Sequence, residues 1–195
     1  AVAAAALGDE MERAEREDGT VIFESSRGSI EWYADGRVQG SFTTEEGMPE
    51  NEEAALRVAR RLFADWRLQT DDARTAADGM TVTLSGTVAG LPVFNRTISV
   101  RFDAENHVAL SGLWSFGIPY TTVSGSGVSC NAADALLEFI SRRSAAETVL
   151  SMEVGYRMQL DSSRRLQLTP TWKIVTDSGE YLVDCDKKTI IDQEN

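Results

Sequence analysis

Apolar and polar positions alternate through the last third of the chain. From Leu150 to Leu160 an apolar side chain recurs at every second position, and most residues between are polar. Two further strand-like runs, 166–175 and 181–191, are separated by a turn at residues 177–179. A period of two residues is typical of a strand with one buried face. The pattern predicts three antiparallel strands that close a small sheet, which is a scaffold with no evident reactive centre.

The remainder of the chain mixes short strands with helices. The spacing of Leu7, Met11 and Ala14 predicts an N-terminal helix. The dipeptide Asp35-Gly36 predicts a hairpin turn between two strands, because these residues tolerate positive φ. Further strands are predicted over residues 80–84, 90–102 and 108–114.

Two segments repeat apolar residues at helical spacing. The first begins near Asn51, a good N-cap residue. Its apolar stripe consists of Ala55, Leu56, Ala59, Leu62, Phe63 and Trp66. The second begins near Ser129 or Asn131 and is expected to bury Ala133, Leu136, Leu137 and Ile140. Each predicted helix is followed by predicted strands, so the two halves form a loose internal repeat.

These elements predict an α+β fold of two small modules, each an antiparallel β-sheet with a helix packed across it. The Gly/Ser-rich stretch 121–129 is the best linker candidate. Residues 1–120 are therefore assigned to an N-terminal module and residues 121–195 to a C-terminal module.

The composition narrows the choice of partners. The chain has 195 residues, of which 42% are hydrophobic, and a net charge of −12. The hydrophobic fraction is ordinary for a globular protein. An acidic surface repels phosphate backbones and anionic bilayers, so we expect no nucleic-acid partner. Cationic peptides and loosely held divalent ions remain open, and solubility alone also explains the charge.

The start of the chain suggests processing. No apolar run is long enough to span a bilayer, and no secretory signal with a basic start is present. Residues 1–7 are small and apolar and do not begin with Met. These residues fit the outer end of a removed membrane anchor or signal, and they fit a plain N-terminal helix equally well.

Cys130 and Cys185 are the only cysteines. One pair fits either an extracytoplasmic disulfide or two inert buried thiols. A disulfide that closes so long a loop stabilises a fold by roughly 4 kcal/mol in the chain-entropy model. The spacing alone leaves both alternatives open.

We find no pattern that predicts a catalytic residue, a metal site or a cofactor. His107 is the only histidine, and it is expected in an exposed turn that leads into a strand. The cysteines do not form a Cys-x-x-Cys pair, and Gly125-Ser-Gly127 lacks the lysine of a phosphate-binding loop. The acidic pairs are interpreted as solvated faces and helix caps: 45–46, 52–53 and 71–72. A glycosidase pair among them has no positive support.

Two neighbouring aromatic residues are candidates for partner contact. Trp32 and Tyr33 place large side chains on both faces of one predicted strand, so we expect one of them to be exposed. Separately, Asn95-Arg96-Thr97 matches the acceptor pattern for N-glycosylation, which is common by chance.

With these residues in view, the chain resembles a known family. Gly155-Tyr156, residues 168–174 with Pro170 and Trp172, and residues 177–184 resemble the end of the YycH/YycI regulatory proteins. The same series is similar to PepSY-like modules, which end in a Pro-x-Trp/Tyr strand, a turn and a short strand. Residues 90–95 resemble the preceding module of YycI-like chains. The resemblance covers the second half well and the first half loosely.

The resemblance implies a bitopic protein of a Gram-positive bacterium whose soluble part lies outside the membrane. It implies a non-enzymatic regulator of a membrane sensor histidine kinase in a two-component system that controls cell-wall metabolism. The PepSY-like similarity implies a second function, a secreted peptidase inhibitor or a chaperone-like module. A third hypothesis is an acid-dependent hydrolase in a cleft between the modules.

Overall fold

A computed structural model describes residues 2–44, 47–66, 68, 73–103, 106–114, 130–142, 148–160 and 166–191. The helices in these ranges are α1 (Val2–Leu7), α2 (Glu52–Asp65) and α3 (Ala132–Arg142). The strands of the first half are β1 (Glu12–Glu15), β2 (Val21–Ser25), β3 (Gly28–Trp32), β4 (Arg37–Thr43), β5 (Ala73–Asp78) and β6 (Thr81–Val88). The later strands are β7 (Leu91–Asp103), β8 (His107–Leu113), β9 (Val149–Leu160), β10 (Leu166–Thr176), β11 (Glu180–Asp184) and β12 (Thr189–Ile191).

The prediction of two separate antiparallel sheets is wrong. Hydrogen-bonded pairing connects the described strands into one 12-stranded sheet in the order β1-β2-β3-β4-β8-β7-β9-β10-β11-β12, with β6 also on β7 and β5 on β6. The sheet is mixed, because β7 and β9 pair in parallel at Val93 and Tyr156. The physical reason is the length of β7, whose 13 residues offer pairing positions to β6, β8 and β9.

The chain divides into two compact units that share β7. Unit 1 comprises Ala1–Thr87 and Arg96–Gly117, and unit 2 comprises Val88–Asn95 and Ile118–Asn195. The boundary predicted near residue 120 lies outside the described residues and stays a prediction. The Gly/Ser-rich stretch 121–129 lies outside them as well.

Unit 1 is built around helix α2. Asn51 caps this helix as expected, because its side chain accepts a hydrogen bond from the backbone N–H of Ala54 at 2.9 Å. Phe63 and Trp66 from the predicted stripe are buried, with the Trp66 ring edge-on to Phe63 at 5.9 Å and to Phe42 of β4 at 6.0 Å. Such packing of a helical stripe on a sheet face is the main source of stability that the sequence pattern predicts.

The prediction of a helix through Leu7, Met11 and Ala14 is wrong beyond Leu7. Helix α1 ends at Leu7, where Gly8 follows with a φ of 84°. Met11 and Ala14 lie beyond it, and the exposed residues Glu12–Glu15 form edge strand β1 on β2. A glycine with positive φ terminates helices readily, and a charged edge strand resists pairing with other chains.

Unit 2 contains the strands that the alternation predicted, with one more turn. Strands β9 and β10 pair over most of their length, and β11 returns along β10. The run 181–191 is split by a turn into β11 and β12, because Asp184 accepts hydrogen bonds from the backbone N–H groups of Asp186 and Lys187. Pro170 lies within β10, one residue before its register with β11 begins at Thr171, and a missing N–H is tolerated best at such an end of a ladder.

Candidate functional site

Helix α3 presents one face to the sheet of unit 2. Asn131 begins the helix, since its side chain accepts a hydrogen bond from the backbone N–H of Asp134 at 2.9 Å. Ala135 and Phe139 are buried at 0% and 3% exposure, in one cluster with Ile174 of β10 and Val183 of β11. The Phe139 ring also lies 5.0 Å from the Tyr181 ring, centroid to centroid. This face holds the helix on β10 and β11.

The opposite face of α3 is apolar and exposed. Leu137 is 66% exposed and Ile140 is 57% exposed, and Ala133 is exposed one turn earlier. Residues at i, i+4 and i+7 lie on one side of a helix, so these three form a continuous stripe. We call Ala133, Leu137 and Ile140 the α3 outer face. Isolated exposed leucines are ordinary, but an ordered apolar stripe is typical of a surface that binds another molecule.

The predicted buried face of α3 is wrong for three of its four residues. Ala133, Leu137 and Ile140 are exposed, whereas Leu136 is partly buried and packs against the cluster of unit 2. The helix carries two apolar stripes, and the sheet packs against the one that contains Phe139, the largest apolar side chain of the helix. The sequence does show apolar residues on two sides of this helix. Because the helix packs on one sheet, one of the two sides had to remain uncovered by it.

Other exposed apolar side chains also belong to unit 2. Among the described residues, the large hydrophobic side chains with the greatest exposure besides those of α3 are Val149, Leu150 and Leu166. Leu150, at 64% exposure, begins the alternation along β9, and Leu166 begins β10. The apolar surface of the described residues is therefore concentrated in this unit.

Charged groups form a separate row along α3, four residues apart. Arg142 donates from its guanidinium to the Glu138 carboxylate one turn earlier, and Asp134 lies in the first turn. An acidic residue in the first turn and a basic residue in the last turn both complement the helix dipole. These charged residues are not part of the α3 outer face.

Trp32 and Tyr33, the candidates from the sequence, lie in unit 1 and are both half-buried. Trp32 packs against the core cluster of that unit. The Tyr33 hydroxyl donates to the Glu31 carboxylate at 2.8 Å, and the Arg37 guanidinium lies 5.1 Å from the centre of its ring. The hydrogen bond to Glu31 raises the pKa of Tyr33. Tyr33 is thus held at the β3–β4 turn, and its role in partner contact stays a prediction.

Cys130 and Cys185 are both buried and unbonded. Burial is the main cause that raises the pKa of the Cys185 thiol to about 12, and the neighbouring Cys130 side chain is the second cause. A thiol with such a pKa is protonated at neutral pH and is a poor nucleophile.

The prediction that His107 lies in an exposed turn is wrong. It is the half-buried first residue of β8. Its Nδ1 lies 2.9 Å from the Ser41 hydroxyl oxygen.

In the part of the chain that the structure describes, no three or more His, Cys, Asp or Glu side chains are grouped so that they could hold a metal ion. The pairs 45–46 and 71–72 lie outside that part. Glu52 and Glu53 lie in the first turn of α2, which agrees with the prediction that this acidic pair belongs to a helix start.

None of the described helices is long and apolar enough to cross a membrane.

Comparisons with known proteins give a distant similarity. No family model matches the sequence, and no curated protein matches it. The structure is similar to that of the Bacillus megaterium YpeB C-terminal domain, with 8% sequence identity and a TM-score of 0.49 over 100% of this chain and 95% of that chain. A similarity at this level assigns neither a family nor a function. The resemblance to the YycH/YycI proteins, which these comparisons do not confirm, therefore stays a prediction, and the chain is placed only as a distant structural neighbour of that domain.

Proposed function

We propose that the chain is a non-enzymatic, extracytoplasmic binding module whose α3 outer face docks on the extracellular domain of a membrane sensor histidine kinase. The observation that carries the proposal is the ordered apolar stripe of Ala133, Leu137 and Ile140, opposite the face that packs on the sheet. The YycI-like residues of β9, β10 and β11 suggest the class of partner.

The chemistry of the surface defines what the partner must present. Two large aliphatic side chains on a helix favour a shallow apolar groove, as in helix-in-groove recognition. The net charge of −12 favours a basic rim around that groove, since complementary charges accelerate encounter and orient the two surfaces. The partner is therefore a protein domain with an apolar groove bordered by lysine or arginine.

Binding would act through the same residues that folding leaves exposed. Burying a leucine or isoleucine side chain contributes about 1.5–3 kcal/mol, which corresponds to roughly tenfold to hundredfold in affinity. A docked α3 would couple the partner to unit 2 through Phe139 and the strands beneath it. In this proposal the chain regulates by contact and needs no reactive group.

The experiment measures binding of this chain to purified extracellular domains of sensor kinases that are encoded beside its gene. We expect Leu137→Ser with Ile140→Ser to weaken binding about tenfold or more. The matched control is Leu166→Ser, which removes an exposed leucine from β10 of the same unit. Loss of binding with both sets of substitutions, or binding that is unchanged by the α3 substitutions, would contradict the α3 outer face as the site. Failure of every such domain to bind would contradict the partner class.

A further inference from the structure

Unit 2 brings its two cysteines together from distant parts of the chain. Cys130 lies directly before the α3 N-cap, and Cys185 directly follows β11. They are 3% and 1% exposed and belong to one buried cluster, and the Cys130 side chain contributes to the raised pKa of the Cys185 thiol. The two sulfurs are therefore neighbours in the folded protein.

Strand β10 holds both cysteine backbones in place. The Trp172 indole N–H donates to the Cys130 carbonyl at 3.1 Å. The Cys185 backbone N–H donates to the Pro170 carbonyl at 2.9 Å. These anchors are two positions apart on one strand, so the approach of the thiols is set by the sheet. A disulfide requires such a close approach of two backbones, which sequence spacing cannot establish.

We propose that Cys130 and Cys185 form a disulfide with each other by exchange with an external disulfide, such as oxidised glutathione or a disulfide oxidoreductase. One cysteine, as its thiolate, attacks a sulfur of that disulfide, and a mixed disulfide forms while the first external thiol leaves. The second cysteine then attacks its neighbour's sulfur in the mixed disulfide and releases the second external thiol. The two protein thiols are oxidised, the external disulfide is reduced to two thiols, and the two protons pass to those thiols.

Burial controls when this exchange occurs. Both sulfurs are shielded, and the raised pKa of Cys185 keeps its thiol protonated in the folded state. Exchange is therefore slow once unit 2 has folded, and fast while the chain is folding. The bond, once closed, is protected from reduction by the same burial.

The disulfide would fasten the start of α3 to the end of β11. The helix otherwise depends on Ala135, Phe139 and the anchor from Trp172 to stay on the sheet. A covalent link at its first turn limits opening of the helix and restricts the unfolded chain. This inference does not depend on the proposed partner, because it concerns only contacts within unit 2.

The test refolds the full chain from denaturant in a buffer of reduced and oxidised glutathione, then alkylates the remaining thiols. We expect a monomer that is lighter by two hydrogen atoms, with no alkylation and no bound glutathione, and a peptide map that joins Cys130 to Cys185. Its melting temperature should exceed that of the reduced protein by about 10 °C. Addition of the same buffer to the folded, reduced protein should give the same product much more slowly.

The single variants Cys130→Ser and Cys185→Ser are the controls. Each should retain one thiol or carry one glutathione, and neither should gain stability on oxidation. Recovery of both thiols in the wild-type chain, persistent mixed disulfides, or disulfide-linked dimers would overturn the proposal. The mass of the wild-type product decides the question even if a variant does not fold.

Discussion

The side chain of Asn95 on β7 pairs with the backbone of Met158 on β9 as another strand would. Its Nδ2 donates to the Met158 carbonyl at 2.7 Å, and its Oδ1 accepts from the Met158 N–H at 2.8 Å. The pair lies two residues beyond the parallel bridge between Val93 and Tyr156, in the same register. Asn95 thus extends a very short parallel ladder with an amide side chain. Its Nδ2 is the atom that glycosylation would modify, so this contact also argues against the acceptor pattern as a used site.

Replacement of Asn95 should weaken unit 2. Asn95→Ala leaves the Met158 N–H and carbonyl without this partner, and we expect a loss of about 1–3 kcal/mol in the free energy of unfolding. Asn95→Asp should be at least as damaging at neutral pH, because its carboxylate cannot donate to the Met158 carbonyl. Protonation restores a donor, so the effect of Asn95→Asp should shrink at acid pH. Urea unfolding followed by tryptophan fluorescence measures both, and equal losses at every pH would refute the pairing.

Gly155 is required where β9 passes β7. A Cβ at this position would collide with the Pro92 carbonyl oxygen and would lie 2.7 Å from the Phe94 ring. The oxygen belongs to backbone and cannot move aside as a flexible side chain would. We expect Gly155→Ala to destabilise the protein by about 1–3 kcal/mol. Ser151→Ala, an exposed change in the same strand, should have little effect, and a similar unfolding midpoint for both variants would disprove the close approach.

The two faces of α3 should differ sharply in their contribution to stability. Phe139→Ala removes a buried ring from the cluster with Ile174 and Val183, and should cost about 3–5 kcal/mol. Leu137→Ser, on the α3 outer face, should change the free energy of unfolding by less than about 0.5 kcal/mol. Thermal or urea unfolding of the two variants compares them directly. A large loss for Leu137→Ser would mean that the outer face is buried in solution.

Stability near β1 should depend on the charge of Asp18. The backbone N–H of Thr20 donates to the Asp18 carboxylate at 2.8 Å, and this hydrogen bond lowers the pKa of Asp18 below its ordinary value of 3.8. A lowered pKa in the folded state stabilises the protein above the ordinary value, and the contribution disappears as the pH falls through the lowered one.

We therefore expect wild type and Asp18→Asn to differ by a constant amount near neutral pH and to converge below about pH 4. Asparagine can still accept the hydrogen bond, so the variant should fold. Unfolding midpoints across the acid range measure the difference. Parallel profiles down to the lowest pH would show that the carboxylate is not stabilised by folding.

The regular patterns in the sequence predicted individual elements well. Alternation from Leu150 to Leu160 predicted β9, and Asn51 predicted the start of α2, because strand period and helix capping are local properties. The short β11–β12 turn was missed, since the hydrogen bonds that Asp184 accepts are not visible as a pattern. The early end of α1 was missed because Met11 and Ala14 continued a helical spacing past Gly8.

The sequence by itself determined that the chain is acidic, that its last third is built of strands, and that it has a single pair of cysteines. Only the tertiary structure decided three further features. These are the apolar stripe of α3 that packs on the sheet, the pairing of β7 with β6, β8 and β9, and the proximity of Cys130 to Cys185. Periodicity and charge are fixed by neighbours along the chain, whereas these three outcomes depend on competition between residues far apart in sequence. Phe139 can exclude Leu137 from the core only once β10 and β11 have formed the surface on which the helix packs.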